Sequence, residues 1–143
     1  MSVNSFIDTN VFIYLLEGLD EHKADKAEQL IEYGIATGNA CISFQVVQEC
    51  LNTAIRKAEI PLTLGDMNLY LKSVLMPLCR VQPSLRLYQT ALDIKGRYRF
   101  SFYDSLIIAA ALEAGCKTLF SEDMQHGQII ETLTIQNPFI KQG

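Results

Sequence analysis

At 143 residues the chain suits one compact domain, 1–143, large enough to bury roughly 68–70% of its unfolded surface without help from a metal or a disulfide. A net charge of −4 with 20% charged residues excludes a strongly basic nucleic-acid-coating protein and a disordered chain. It does not exclude a nuclease, whose own centre must be acidic to hold cations.

Ser5-Phe6-Ile7 is a short apolar run ending at Asp8 and reads as a first strand. A short helix over 10–17 ends near Gly18, and 22–35 has helical spacing, with Ala24, Ala27, Leu30 and Ile31 recurring at three and four. Gly38-Asn39 breaks it. A second strand over 40–43 ends at Ser43, which is placed to cap the next helix. That helix, 45–58, is amphipathic: Val46, Val47, Cys50, Leu51, Ala54, Ile55 and Ala58 fill one side, and Gln48, Glu49, Asn52, Thr53 and Arg56 the other. Pro61 and Gly65 mark a connection, followed by a helix over 66–76, a strand over 78–81 that stops at Pro83, and a helix over 84–95. The basic, aromatic stretch 97–103 reads as a loop. The segment 106–114 is apolar on nearly all faces, so that helix should be buried on every side and end at Gly115. Strands follow over 117–120 and 129–135. Strands alternating with helices predict an α/β domain with a mostly parallel sheet.

The cysteines 41, 50, 79 and 116 form no CxxC pair and sit among apolar neighbours, which argues against a zinc site or a disulfide framework. Four buried free thiols fit a reducing cytoplasm. Asp8 and Asn10 interrupt the apolar start, and no basic region precedes it, so no targeting signal is read. The longest apolar run, 106–112, is far too short to span a membrane.

Four acids stand at element ends: Asp8 after the first strand, Glu49 in the first turns of the third helix, Asp104 opening the buried helix, and Asp123 after the strand 117–120. The carboxyl ends of parallel strands share one edge, where ligands bind, so acids remote in sequence can meet there. Two carboxylates about 4 Å apart repel by roughly 4 kcal/mol at an effective dielectric near 20, and a hard cation such as Mg²⁺ or Mn²⁺ would offset that. Such a site can hydrolyse a phosphodiester. Each acid also has an ordinary structural explanation. Glu49 lies on a polar helix face, Ser101-x-x-Asp104 is a capping pattern, and Asp123 beside Glu122 suits a loop. Asp8 is the hardest to explain so, because a carboxylate in an apolar opening needs partners or a metal. His126 reads as a surface or loop histidine, and no serine–histidine–aspartate arrangement or phosphate-cradling P-loop motif is evident.

Phe6-Ile7-Asp8-Thr9-Asn10, the Glu49 helix, the run Tyr103 to Ala111 around Asp104, and the run Leu119 to Gly127 around Asp123 resemble, in order and across essentially the whole chain, the four acidic motifs of the PIN-domain nucleases. The short single-domain form is similar to the VapC-type toxins. The resemblance implies a Rossmann-like α/β fold, its central mostly parallel sheet flanked by helices. It also implies an endoribonuclease using Mg²⁺ or Mn²⁺, and a homodimer inhibited by a small antitoxin. Carried over by position, Asp8, Asp104 and Asp123 match the metal-binding acids and Glu49 completes the catalytic set. Thr9 and Ser121 match polar positions beside them, although Ser121 stands where the family often has threonine. Arg97 and Arg99, with Tyr98 and Phe100, are further candidates for contacts to RNA, although a solvated loop explains them equally. The alternatives are a phospho-accepting receiver-like domain, with Lys117 as its lysine; a housekeeping RNA-processing member; and a catalytically silent RNA-binding scaffold.

Overall fold

In the computed structural model, residues 3–56 and 62–140 are described with their side chains and Lys57 by its backbone. Strand β1 (Ser5–Ile7) enters the interior with Phe6 and Ile7 fully buried. Helix α1 (Thr9–Glu17) follows at once and stops where Gly18 takes φ +65°, a left-handed turn that costs glycine little. Helix α2 (Glu21–Thr37), capped by Asp20, leads to β2 (Ala40–Ser43). Helix α3 (Phe44–Lys57) comes next, and Ala58 and Pro61 lie outside the described residues.

The next helix begins earlier than its spacing suggested. α4 (Leu64–Tyr70) carries a complete Thr63–Asp66 capping box, so Gly65 is helical rather than part of a connection. It continues through a π-helical stretch, Leu71–Leu75, into the single turn α5 (Met76–Leu78). After β3 (Cys79–Val81), α6 (Leu85–Arg97) and α7 (Phe102–Glu113) form a packed pair. The loop expected over 97–103 is therefore shorter, since Arg97 ends one helix and Phe102 begins the next. All of Ser105–Ala111 is buried, as the apolar run required.

β4 (Thr118–Phe120) is followed by β5 (Ile129–Ile130) and β6 (Leu133–Gln136). One strand was expected over 129–135, but Glu131 takes φ +56° and turns the chain into an antiparallel hairpin. The sheet order is β3-β2-β1-β4-β6-β5, with every neighbouring pair parallel except the last.

This order decides where a site can form. The connections β1–β2 and β2–β3 step one way across the sheet, and β3–β4 steps back past β1. Right-handed crossovers therefore put α6 and α7 on the face opposite α1 to α5. The reversal leaves a crevice between the carboxyl ends of β1 and β4, the switch point of a doubly wound sheet.

Two smaller expectations are corrected. The Ser43 hydroxyl is buried without a hydrogen-bond partner among the described residues, so it does not cap α3. Cys79 is half-buried, whereas Cys41, Cys50 and Cys116 are buried and all four are free. Among the described residues no helix is long and apolar enough to cross a membrane.

Candidate functional site

Asp8 ends β1 at the crevice. Its backbone N–H donates to the Phe120 carbonyl (2.9 Å), and its carboxylate accepts from the Thr9 N–H (2.7 Å), capping α1. From the far side of the crevice the Ser121 hydroxyl, itself buried, donates to the other carboxylate oxygen (2.8 Å). Asp8 is only 6% exposed. Burial pushes its pKa up to about 7, the Glu49 and Asp123 charges adding to the rise while Ser121 and the Thr9 N–H oppose it. No cationic side chain is among these influences, so among the described residues this buried carboxylate has no positive partner.

The other three acids converge on it. Partial burial raises the Glu49 pKa, with Asp104 and Asp123 adding repulsion against the lowering effect of the Gln45 and Thr9 side chains. Partial burial likewise raises Asp104, with Asp123 adding to the rise and Ser101 opposing it. Gln45 donates to the Tyr103 carbonyl (3.2 Å), tying the start of α3 to the first turn of α7, so Glu49 and Asp104 are held from one joint. The Ser101 half of the expected cap also forms: its hydroxyl accepts from the Asp104 N–H (3.1 Å). Ser101 thus engages both the backbone and the carboxyl of Asp104, and Asp104 and Asp123 line one cavity.

Asn10, not singled out as a site residue from sequence, is the bridge. Its amide donates to Asp123 Oδ2 (3.1 Å) and lies 3.4 Å from both Asp8 Oδ2 and Ser121 Oγ, while its carbonyl oxygen accepts from the Glu122 N–H (3.2 Å). The signal was an amide interrupting an apolar helix start. Behind it, Glu122 accepts from Lys23 Nζ (2.6 Å) and from the Tyr14 hydroxyl, and Lys23 also donates to Tyr14 (3.0 Å). Burial would raise the Glu122 pKa, but these two donors outweigh it and hold the carboxyl below its ordinary value. Lys23 is thus committed to Glu122 and does not neutralise the four acids.

Two arginines were expected near the site, and the structure brings one. Arg99 shares a cavity of about 390 Å³ with Ser101, Asp104, Asp123, Gln125 and Gln128. Arg97 is engaged by Asp93 (3.0 Å) and Glu131 (2.6 Å) instead. Lys117 precedes the first residue of β4, at the sheet edge opposite Asp8, which removes the geometry of a receiver domain.

Among the described residues, no group of three or more histidine, cysteine, aspartate or glutamate side chains is arranged so that it could hold a metal ion. The donor chemistry nevertheless suits a hard divalent cation. The contributing groups are all oxygen, the acids raise one another's pKa values, and the buried Thr9 Oγ1 and Gln45 Oε1 have no partner at full hydrogen-bond geometry among the described residues, although both side chains lie close enough to Glu49 to lower its pKa. Like charges left unscreened keep their distance, and a cation would draw them together.

A doubly wound α/β sheet whose acids meet near its switch point places the chain among Rossmann-like folds. The chain belongs to one family among them: the PIN domain pattern matches residues 5–129. Solved structures agree on the fold. A chain of a toxin–antitoxin complex from Klebsiella pneumoniae is 16% identical, with TM-score 0.67 and coverage of 94% of this chain and 98% of that one. The VapBC2 complex of Rickettsia felis, bound to a promoter DNA fragment, gives 16%, 0.62, 94% and 98%. VapC20 of Mycobacterium tuberculosis, a toxin that cleaves the sarcin–ricin loop, gives 18%, 0.60, 84% and 92%. No curated protein matches the chain significantly in sequence.

Proposed function

We propose that the chain is a Mg²⁺- or Mn²⁺-dependent endoribonuclease and the toxin of a toxin–antitoxin pair. The observation that carries this is the uncompensated Asp8 carboxylate at the switch point of a PIN fold, bridged by Asn10 to Asp123 and sensing Glu49. The structural relatives support the toxin reading, since they include toxin–antitoxin chains and one toxin that cleaves the sarcin–ricin loop.

Asp8, Asp104 and Asp123 would hold the cation, with Asn10, Thr9 and Ser121 keeping the carboxylates in place. A bound divalent ion lowers the pKa of a ligated water and stabilises charge on the phosphate. Glu49, exposed and with a raised pKa, is suited to orient that water and take its proton. Arg99 faces the cleft from the α6–α7 loop and would pair with a phosphate; Arg97 would have to leave Asp93 and Glu131 to do the same. An acidic cleft is also a receptor for arginine, so a small antitoxin would inhibit by inserting a basic side chain. We further propose a homodimer acting in the cytoplasm. A housekeeping RNA-processing role uses the same site but needs no antitoxin.

The test is cleavage of labelled single-stranded RNA with added Mg²⁺ or Mn²⁺. Cleavage that stops in EDTA supports the reading, and undiminished cleavage in excess chelator overturns it.

A further inference from the structure

A second cavity, of about 670 Å³, opens beside the acidic centre and has the opposite character. Its wall includes His22 and Lys26 from α2, one turn apart on one helix face, His126 from the loop after β4, and Gln136 and Asn137 at the end of β6. Phe120 adds an aromatic surface. Both histidines of the chain are there, and no aspartate or glutamate is among the described residues that line it.

Its place in the fold joins it to the carboxylates. Phe120 is the last residue of β4, and the next residue, Ser121, donates to Asp8 (2.8 Å). The Ser121 N–H donates to the carbonyl of Gln136 (3.1 Å), so the two sites share the ends of β4 and β6. The donors are also available. The Lys26 and His22 side chains make no hydrogen bond or ion pair among the described residues. His126 accepts from the Asn137 N–H through Nδ1 (3.0 Å), which leaves Nε2 for a ligand. Lys23, one residue from His22, is by contrast consumed by Glu122.

We propose that this cavity is a subsite for the backbone of single-stranded RNA. Lys26, His22 and His126 donate to one phosphate, Gln136 and Asn137 donate to sugar or base oxygens, and Phe120 offers a face to a base. The subsite rests on the nuclease reading for its purpose: it holds the strand beside the acidic centre, which repels phosphate unless a cation is present. A site of fixed donors next to a site of fixed acceptors also gives the strand a direction across the sheet edge.

The experiment is fluorescence anisotropy of a 5′-labelled single-stranded RNA of about twelve nucleotides, with the full chain in EDTA over a salt series. The proteins are wild type, Lys26→Gln, His126→Gln and the control Lys95→Gln, an exposed residue near the end of α6. The expected result is several-fold weaker binding for Lys26→Gln and His126→Gln, and a salt dependence flattened by about 0.7 for Lys26→Gln, as one lost single-strand phosphate contact requires. The control should match wild type. Competition by inorganic phosphate or by adenosine monophosphate alone, with no gain from a longer strand, would mean a free-anion site and overturn the backbone reading. Binding of an acidic peptide but not RNA would overturn it as well. If wild type cleaves RNA with Mg²⁺ and neither variant changes affinity, the subsite is wrong and the nuclease reading stands. If the variants weaken binding but wild type never cleaves, the subsite stands and the nuclease reading fails.

Discussion

Replacing Asp8 with asparagine should stabilise the metal-free protein. Asp8 is nearly enclosed, and its pKa stands at about 7 against an ordinary 3.8. That difference corresponds to roughly 4 kcal/mol against the folded state when the carboxyl is ionised. A pKa raised on folding favours the folded state below the unfolded value, and that advantage is lost as pH rises through the folded value. In EDTA, wild type should therefore melt higher near pH 4–5 than near pH 8, with the change centred between about 4 and 7. The substituted amide stays neutral, can still accept from the Thr9 N–H, and ranks with aspartate as a helix cap. Asp8→Asn should thus show a shallower profile over this window, with the residual slope coming from Glu49 and Asp104, and melt roughly 10 °C above wild type at pH 8. Added Mg²⁺ should narrow the gap and then close it: wild type gains about 2.7 kcal/mol at a hundredfold excess over its dissociation constant and about 4.1 kcal/mol at a thousandfold excess, whereas the variant gains little and cleaves no RNA. The assay is differential scanning calorimetry across pH, with and without Mg²⁺. An Asp8→Asn protein that melts below wild type at pH 8 in EDTA would refute the reasoning, because Asp8 would then be stabilising as an anion.

Asn10→Ala removes the link between Asp123 and the Glu122 N–H; cleavage should fall tenfold or more, while stability drops by about 1 kcal/mol, read by initial rates beside thermal melts. Asp104→Asn should leave stability within about 0.5 kcal/mol and abolish cleavage. Ser101→Ala should do the converse, costing about 1 kcal/mol through the lost α7 cap. Gly34→Ala would put a methyl carbon 2.6 Å from the Ala40 methyl, where α2 crosses β2. It should lower stability by 1–3 kcal/mol or so, measured by urea unfolding.

Elements whose physics is local were legible in the sequence. The run 106–112 demanded burial on all sides, and Asp8 in an apolar opening demanded partners. The hairpin at Glu131 was not legible, because its turn has no glycine or asparagine to announce a positive φ. Ser43 looked like a cap because serine commonly caps, but at the carboxyl end of β2 its hydroxyl is sealed under neighbouring elements. Ile55 has the spacing of a core residue yet is 72% exposed, since helical periodicity gives a face and not the width of its contact. The four acids could be named one by one. Their bridge could not, because Asn10 meets Ser121, Glu122 and Asp123 only after β1 and β4 pair in parallel register. The two arginines, alike in sequence, separate in space because Arg97 still belongs to α6 and finds Asp93 one turn back.

Helix α7 holds Asp104 in its first turn, and its next seven residues, Ser105–Ala111, are all enclosed. A helix with a polar stripe is oriented by that stripe, but this one has none there. Its rotation and depth are set by shape alone, with Leu106, Ile107 and Ile108 followed by three alanines. Exchanges among these side chains would leave the hydropathy of the segment unchanged, yet each would turn or shift the helix and carry the Asp104 carboxylate with it. The reach of that carboxylate toward Asp123 is therefore tuned by core volumes several residues away, and variation that looks conservative along α7 is a route by which members of this fold can adjust their catalytic centre without touching an acid.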